Sequence, residues 1–255
     1  MKTIAFCNEK GGSGKTTTTA NVGASLADRG KRVLLIDLDS QGSLSICNGL
    51  QVIGADELTT HEVLKGHDIK EAVKPVYENL SLIPADIRLS GTELELASVP
   101  GREFILKEAL SELEDNYDYV LLDCPPSLGI LTLIALTAAE ELVVPVKADY
   151  LTLSGMSQLV DVLKVVKRRM NPKLEILGVL ATLYNPRRKL DQQVIAQIEK
   201  YFPGKLFKTK ISQNTALAEA PANGTNIFVY DANSTGAKQY SALTDEILER
   251  EEDKK

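Results

Sequence analysis

A mostly parallel, twisted sheet flanked by helices, in a single α/β domain over residues 1–255, is the fold this sequence predicts. Two observations carry the expectation. Apolar, β-rich runs alternate with helical patterns along the chain, the order that builds a parallel sheet covered on its faces. The first such run also leads into "NEKGGSGKTTTT", a glycine-rich turn that opens a helix. A turn of that kind belongs at the carboxyl edge of a parallel sheet.

Each element follows from its residues. "KTIAFCN" is a short strand, and "GKTTTTANVGASLADRG" is a helix stopped by Gly30, the residue type that most readily takes the turn after a helix. "KRVLLID" is a second strand whose near-continuous apolar run predicts burial on both faces. Residues 48–100 are punctuated by Gly and Pro and predict short elements, with the strand "NLSLIPA" among them. Then come the helix "REFILKEALSELED", the strand "YVLLDCP", the helix "LGILTLIALTAA" and the strand "ELVVPVK". The helix "SGMSQLVDVLKVVKRRM", the strand "LEILGVLATLY" and the helices "DQQVIAQIEKYF" and "STGAKQYSALTDEILEREED" complete the alternation. No internal repeat, low-complexity tract or linker divides the chain.

Composition narrows the function. A chain of 255 residues with 44% hydrophobic and 25% charged residues is an ordinary globular mixture. Trp is absent and aromatics make up 5%, which disfavours a single-strand binder built on stacking. No stretch approaches the roughly 18 apolar residues of a membrane helix. The opening "MKTIAFCNEK" holds too short an apolar run for a signal peptide, so the expected location is cytoplasmic. Cys7, Cys47 and Cys124 match no metal spacing and are expected to be buried thiols. His61 and His67 lack a metal-binding pattern and are expected to face solvent. The net charge of −6 conceals an asymmetry: residues 151–215 hold 12 Lys+Arg against 4 Asp+Glu, a local +8 that leaves −14 elsewhere. Such a basic third can bind a polyanion locally.

The chemistry centres on the glycine-rich turn. The phosphate-binding pattern G-x-x-x-x-G-K-[ST] would place a glycine at position 9, where Glu9 stands, followed by Lys10. Gly11, Gly12, Ser13 and Gly14 let backbone N–H groups converge on phosphate oxygens, and the helix N-terminus adds positive potential. Lys15 would place an ammonium on the outer phosphates, and Thr16 would offer its hydroxyl to Mg²⁺. Two carboxylate segments complete a metal–nucleotide site. "LLIDLDSQGS" ends a strand with Asp37 and Asp39, which strand alternation would put on one face about 7 Å apart. "YVLLDCPPS" ends another with Asp123. Mg²⁺ keeps several waters, so Asp37 and Asp123 would act through them, while Asp39 would orient the attacking water.

These segments, "KGGSGKTTT", "LLIDLDSQG" and "YVLLDCPPSLGILTLIAL", resemble the deviant Walker A, Walker A′ and Walker B segments of the ParA/Soj partition ATPases, P-loop NTPases grouped with MinD. "TLYNPRRKLDQQVIAQI" and "ALAEAPANGTNIFVYDANSTGAKQYSALTDEIL" are also similar to that family, so the likeness covers most of the chain. The resemblance implies an ATP-driven homodimer with ATP and Mg²⁺ as cofactors. In it, Lys10 reaches the phosphates of the other subunit, Asp39 supports a slow, partner-stimulated hydrolysis, and Thr17 contacts the α-phosphate. It also implies adenine contacts from Asn214 and from the backbone carbonyl of Ser212.

Family dimers bind double-stranded DNA without sequence preference, and the resemblance implies a nucleoid-associated protein of plasmid or chromosome partition with a ParB-like centromere-binding partner. Arg187 matches one family DNA contact. Two further basic positions of the family are Gln213 and Ala216 here. Arg188, Lys189, Lys205, Lys208 and Lys210 lie nearby and supply charge, which is what non-specific binding requires. An orphan ATPase of the same type, positioning another cargo, is the alternative. A MinD-like membrane ATPase would end in an apolar, basic amphipathic helix, whereas this sequence ends "DEILEREEDKK"; no membrane contact is expected. A metal-cluster carrier would need paired cysteines that Cys124 does not supply.

Overall fold

The strands predicted as near-continuous apolar runs are buried on both faces. Val33, Leu34, Leu35 and Ile36 have no exposed surface, and burying each contributes on the order of 1.5–3 kcal/mol. This computed structural model describes residues 1–50, 57–148 and 152–252. Its strands are β1 (Lys2–Phe6), β2 (Val33–Asp37), β3 (Lys74–Tyr77), β4 (Leu80–Ile83), β5 (Tyr119–Asp123), β6 (Glu141–Lys147) and β7 (Glu175–Thr182). They form one seven-stranded sheet in the order β3-β4-β2-β5-β1-β6-β7. Every pairing is parallel except β3 with β4.

The helices are α1 (Lys15–Asp28), α2 (Ser43–Cys47), α3 (Thr60–Leu64), α4 (Ile69–Ala72), α5 (Leu89–Leu96), α6 (Ile105–Ser111), α7 (Ile130–Ala138), α8 (Thr152–Arg169), α9 (Lys189–Tyr201), α10 (Thr215–Glu219), α11 (Ile227–Asp231) and α12 (Thr235–Glu252). Strand alternation sorts side chains to two cores. Ile4, Phe6, Val33, Leu35 and Leu121 join α1 and α12 residues such as Val22, Leu26, Tyr240 and Leu243. Ala5, Cys7, Leu34, Ile36 and Leu122 join residues of α6 to α9, among them Leu106, Ile134, Leu163 and Ile198. Helix α1 lies so close to the sheet that a Cβ on Gly23 would meet Leu35 Cδ2 at 2.6 Å.

The region of short elements holds α3, α4, β3, β4 and α5, with its residues 51–56 outside the described part. The edge strand β3 has no counterpart among the expected strands: Pro75 and the half-buried Lys74 and Tyr77 give it no apolar run. The helix expected over "REFILKEALSELED" splits into a 3₁₀ turn, Arg102–Phe104, and α6. The last expected residue of the final helix, Asp253, lies outside the described residues. All three cysteines are buried and free, as expected. His67 is exposed, but His61 is half-buried, with Nδ1 2.7 Å from Thr92 Oγ1.

Candidate nucleotide site

The loop between β1 and α1 is held by its neighbours. Asn8 Nδ2 donates to Pro145 O of β6 (2.6 Å), and Asn8 Oδ1 accepts from Lys10 N (3.1 Å). Thr182 Oγ1 of β7 donates to Ser13 O (2.8 Å). Gly14, the residue before α1, has φ +84°, a left-handed conformation that a side chain would strain. The helix therefore begins at Lys15 with its first N–H groups directed to the loop, where an anion is favoured. Lys15 is buried, and its ammonium donates to Lys10 O at 3.3 Å. The Ser13 hydroxyl is buried without a hydrogen-bond partner.

Beneath the loop, register brings two carboxylates together. β2 and β5 pair so that Asp37 stands beside Asp123, and β5 pairs with β1 so that Asp123 stands beside Phe6. Both aspartates are fully buried. Asp37 is held on both oxygens: Oδ1 accepts from Asp39 N (3.1 Å), and Oδ2 accepts from Ser45 N (3.0 Å) and Ser45 Oγ (2.9 Å). Asp123 accepts from Thr19 Oγ1 (3.4 Å) and from the Thr16 hydroxyl, and its Oδ2 has no partner. Burial pushes the Asp37 carboxyl up to about 6 against its N–H and O–H donors. Burial, and then the Asp37 charge, push Asp123 well above the usual carboxylate range; the Thr16 hydroxyl and Lys15 oppose the rise.

Asp39 departs from the expected geometry. β2 ends at Asp37, so strand alternation does not set the relation of the two aspartates. Instead the chain turns, Asp39 N bonds back to Asp37, and the half-exposed Asp39 carboxylate accepts from Gln41 N (3.1 Å). An aspartate bonding the backbone two residues on is a common turn device. It leaves Asp39 at the mouth of the site and Asp37 in its floor.

The donor set fits a Mg²⁺–phosphate group. Asp123 Oδ2 and the Ser13 hydroxyl are buried polar atoms without partners, and the half-buried Thr16 hydroxyl bonds the same Asp123 carboxylate. Among the described residues no three His, Cys, Asp or Glu side chains are arranged to hold an ion. An ion here would complete its shell with phosphate and water, the usual habit of Mg²⁺.

A cleft of about 440 Å³ opens from the loop. Gly12, Gly14 and Thr17 line one side, and Ser212, Gln213 and Asn214 the other, so the adenine and phosphate candidates share one space. Ser212 N and Oγ both meet Gln239 Oε1 (3.0 and 3.1 Å), and Asn214 Oδ1 caps α10 through Leu217 N (3.2 Å). Leu183 also lines the cleft, with φ +50°. A branched residue in that region costs on the order of 1–3 kcal/mol, so the surrounding fold must impose it.

Several participants carry no signal in the sequence. Thr182 and Ser45 lie far from the loop in sequence and are placed by β7 and α2. Thr19 had a signal: it stands four residues after Lys15 on α1 and bonds Lys15 O (3.0 Å). Tyr240 of α12 reaches Thr18 Oγ1 (3.2 Å) inside the core. Glu9, on the loop's outer side, receives the Gln158 amide of α8 on both oxygens (2.5 and 2.8 Å).

The basic candidates gather along the β7 edge. Residues 205–212 run beside β7 through Val179 N to Lys205 O (2.9 Å), Phe207 N to Val179 O (2.9 Å) and Ile211 N to Ala181 O (2.9 Å). Arg187, Arg188 and Lys189 are exposed at the start of α9. The loop carrying them is tied down by Tyr184 N to Ile211 O (3.0 Å) and Asn185 N to Asp191 Oδ2 (2.7 Å). Lys210 lies 5.7 Å from the Tyr184 ring centre. Lys208 is exposed, and Lys205 lies toward the other end of the strand.

The chain is similar to known proteins over nearly its whole length. A family described as the AAA domain matches residues 1–176. The sporulation initiation inhibitor protein Soj of Bacillus subtilis is 44% identical over 247 residues, covering 96% of this chain and 98% of that protein. The chromosome-partitioning ATPase Soj of Treponema pallidum is 45% identical, with 98% of each chain covered. Among solved structures, cobyrinic acid a,c-diamide synthase from Mycobacterium smegmatis, with a bound ATP analog and magnesium, is similar at a TM-score of 0.87 and 35% identity. That likeness covers 100% of this chain and 97% of the other.

Proposed function

The chain belongs to the Soj/ParA family of chromosome-partitioning ATPases, and from that we propose that it is an ATP-dependent dimerising switch that binds duplex DNA non-specifically and works with a ParB-like partner in DNA partition. The observation that carries the reading is the juxtaposition of the anchored loop, the buried Lys15 and the in-register Asp37–Asp123 pair at one sheet edge. The synthase activity for which the similar structure is named stays with that protein. The Treponema pallidum relative, named for chromosome partitioning, is the more similar in sequence, at 45% identity against 35%.

Loop N–H groups, Lys15 and the α1 N-terminus take the phosphates of ATP. Thr16, Asp37 and Asp123 hold the metal side of the nucleotide, the two aspartates through water. Mg²⁺ supplies neutralisation of the phosphate charge that builds during transfer. Asp37 fixes Ser45 and the backbone of Asp39 and so shapes the turn at the mouth. Asp39, half-exposed there, orients the attacking water. Thr17, Ser212 and Asn214 line the cleft for the rest of the nucleotide. Lys10, on the outer half of the loop, serves the nucleotide of the second subunit, as a cation delivered in trans serves other phosphoryl-transfer sites. Hydrolysis is slow until a partner stimulates it.

Arg187, Arg188, Lys189 and Lys210, with Lys205 and Lys208 further along the same edge, supply charge for phosphate contacts, and the dimer doubles them. Such contacts position a protein on DNA without reading sequence, which suits association with the nucleoid. Light scattering with ATP tests the switch. Wild type should shift from monomer to dimer, and Lys10→Ala should stay monomeric while still binding ATP. A Lys10→Ala protein that dimerises and hydrolyses ATP like wild type would remove the trans role of Lys10.

A further inference from the structure

We propose that the groove between α3, α5 and α6 is a docking surface for a basic, amphipathic peptide segment of another protein. The groove has a volume of about 510 Å³. Its floor is apolar: Val63, Leu64 and Leu96 are buried, Ile105 and Ala109 half-buried, and Val99 is 37% exposed. Glu95, Glu108 and Glu112 form its rim. Glu95 is paired with Lys65 at 3.1 Å. Glu108 and Glu112 are exposed and four residues apart, so they share one side of α6 and its end, beside the stripe of Ile105 and Ala109. Like charges at that spacing weaken a helix.

Charge complementarity decides the kind of occupant. Residues 57–118 carry 14 Asp+Glu against 6 Lys+Arg, a local −8 opposite in sign to the +8 of residues 151–215. An apolar floor with an acidic rim fits a segment that sets apolar side chains at helical spacing and flanks them with Lys or Arg. The groove also stands apart from the nucleotide. α3 starts at the nucleotide edge, where Thr60 Oγ1 donates to Asp37 O (2.7 Å), and the groove includes Lys65, Gly66 and His67 beyond its far end. A partner seated there leaves the loop and the basic edge uncovered. The proposal requires neither the DNA nor the ATPase reading.

The probe is a fluorescein-labelled peptide of Leu at positions i, i+3, i+4 and i+7 with Lys elsewhere, titrated against the full chain with ADP and followed by anisotropy. A scrambled peptide of the same composition is the control. Ala109→Trp fills the floor without changing charge, and Glu108→Lys with Glu112→Lys reverses the rim. Each should weaken binding of the patterned peptide about tenfold or more, or about 1.4 kcal/mol. Glu249→Lys, an acid on α12, should leave it unchanged. Should Ala109→Trp fail to fold by circular dichroism, Val99→Asp at the exposed lip replaces it. Equal binding of scrambled and patterned peptides, or wild-type affinity in the filled variant, overturns the proposal. So does loss of ATP-driven dimerisation in that variant, because the groove would then belong to the contact with a second copy.

Discussion

Ser45→Ala removes one hydroxyl that serves two buried groups. Its oxygen donates to Asp37 Oδ2 at 2.9 Å and accepts from Ala85 N at 3.2 Å. Truncation therefore costs Asp37 a charge-assisted hydrogen bond and leaves a buried N–H unpaired. The first loss is worth about 2 kcal/mol and the second about 1 kcal/mol, so the chain should lose about 3 kcal/mol of stability at neutral pH. The pH dependence separates the two. Burial holds the folded Asp37 pKa above its unfolded value, at about 6. The folded state thus binds the extra proton between the two values, and the contribution of Asp37 to stability falls as pH rises through the folded pKa. Above about 6 the carboxylate is charged and needs the hydroxyl. Below it the protonated acid needs the hydroxyl less, and the Ser45→Ala deficit should shrink toward the N–H cost of about 1 kcal/mol. The assay is urea unfolding at pH 5 and pH 7.5, read by far-UV circular dichroism because the chain has no Trp, with stability taken from the midpoint at constant slope. A loss below about 1 kcal/mol at pH 7.5, or a deficit that grows on acidification, would refute the reasoning.

Other variants separate binding, turnover and DNA contact. Lys15→Ala removes the buried ammonium and should abolish ATP binding in calorimetry. Asp39→Ala should leave ATP binding intact, stop turnover and trap the dimer in light scattering; hydrolysis at the native rate would end its water-orienting role. Arg187→Glu should weaken duplex binding about tenfold and lower the salt slope by about one or two, with ATP-driven dimerisation unchanged.

The fold was legible because its strands repeat one physical signal, an apolar run bounded by polar turns, and β2 and β5 end in aspartates that register then sets side by side. The loop was legible because Gly14, Lys15 and Thr16 stand in the order that a helix mouth requires. Other parts depend on tertiary placement that spacing does not encode. Asp37 and Asp39 look alike as alternate residues of a strand, yet the strand stops at Asp37, and a backbone bond rather than alternation sets Asp39. Thr182 joins the loop because β7 lies beside β6, 169 residues from Ser13. Leu183 takes its left-handed conformation in a run that reads as continuous strand. The edge β3 carries Lys and Pro, which solvent at a sheet edge tolerates and a central strand would not.

A nucleotide-gated grip on DNA along the β7 edge is tested by titrating unrelated duplexes with the apo, ADP and ATP forms at two salt concentrations. Binding is expected only with ATP, equal for every sequence. With about six phosphates neutralised per dimer, the affinity should fall about 10³-fold between roughly 50 and 200 mM salt. Equal retention of the ADP and ATP forms, or an affinity indifferent to salt, would contradict it.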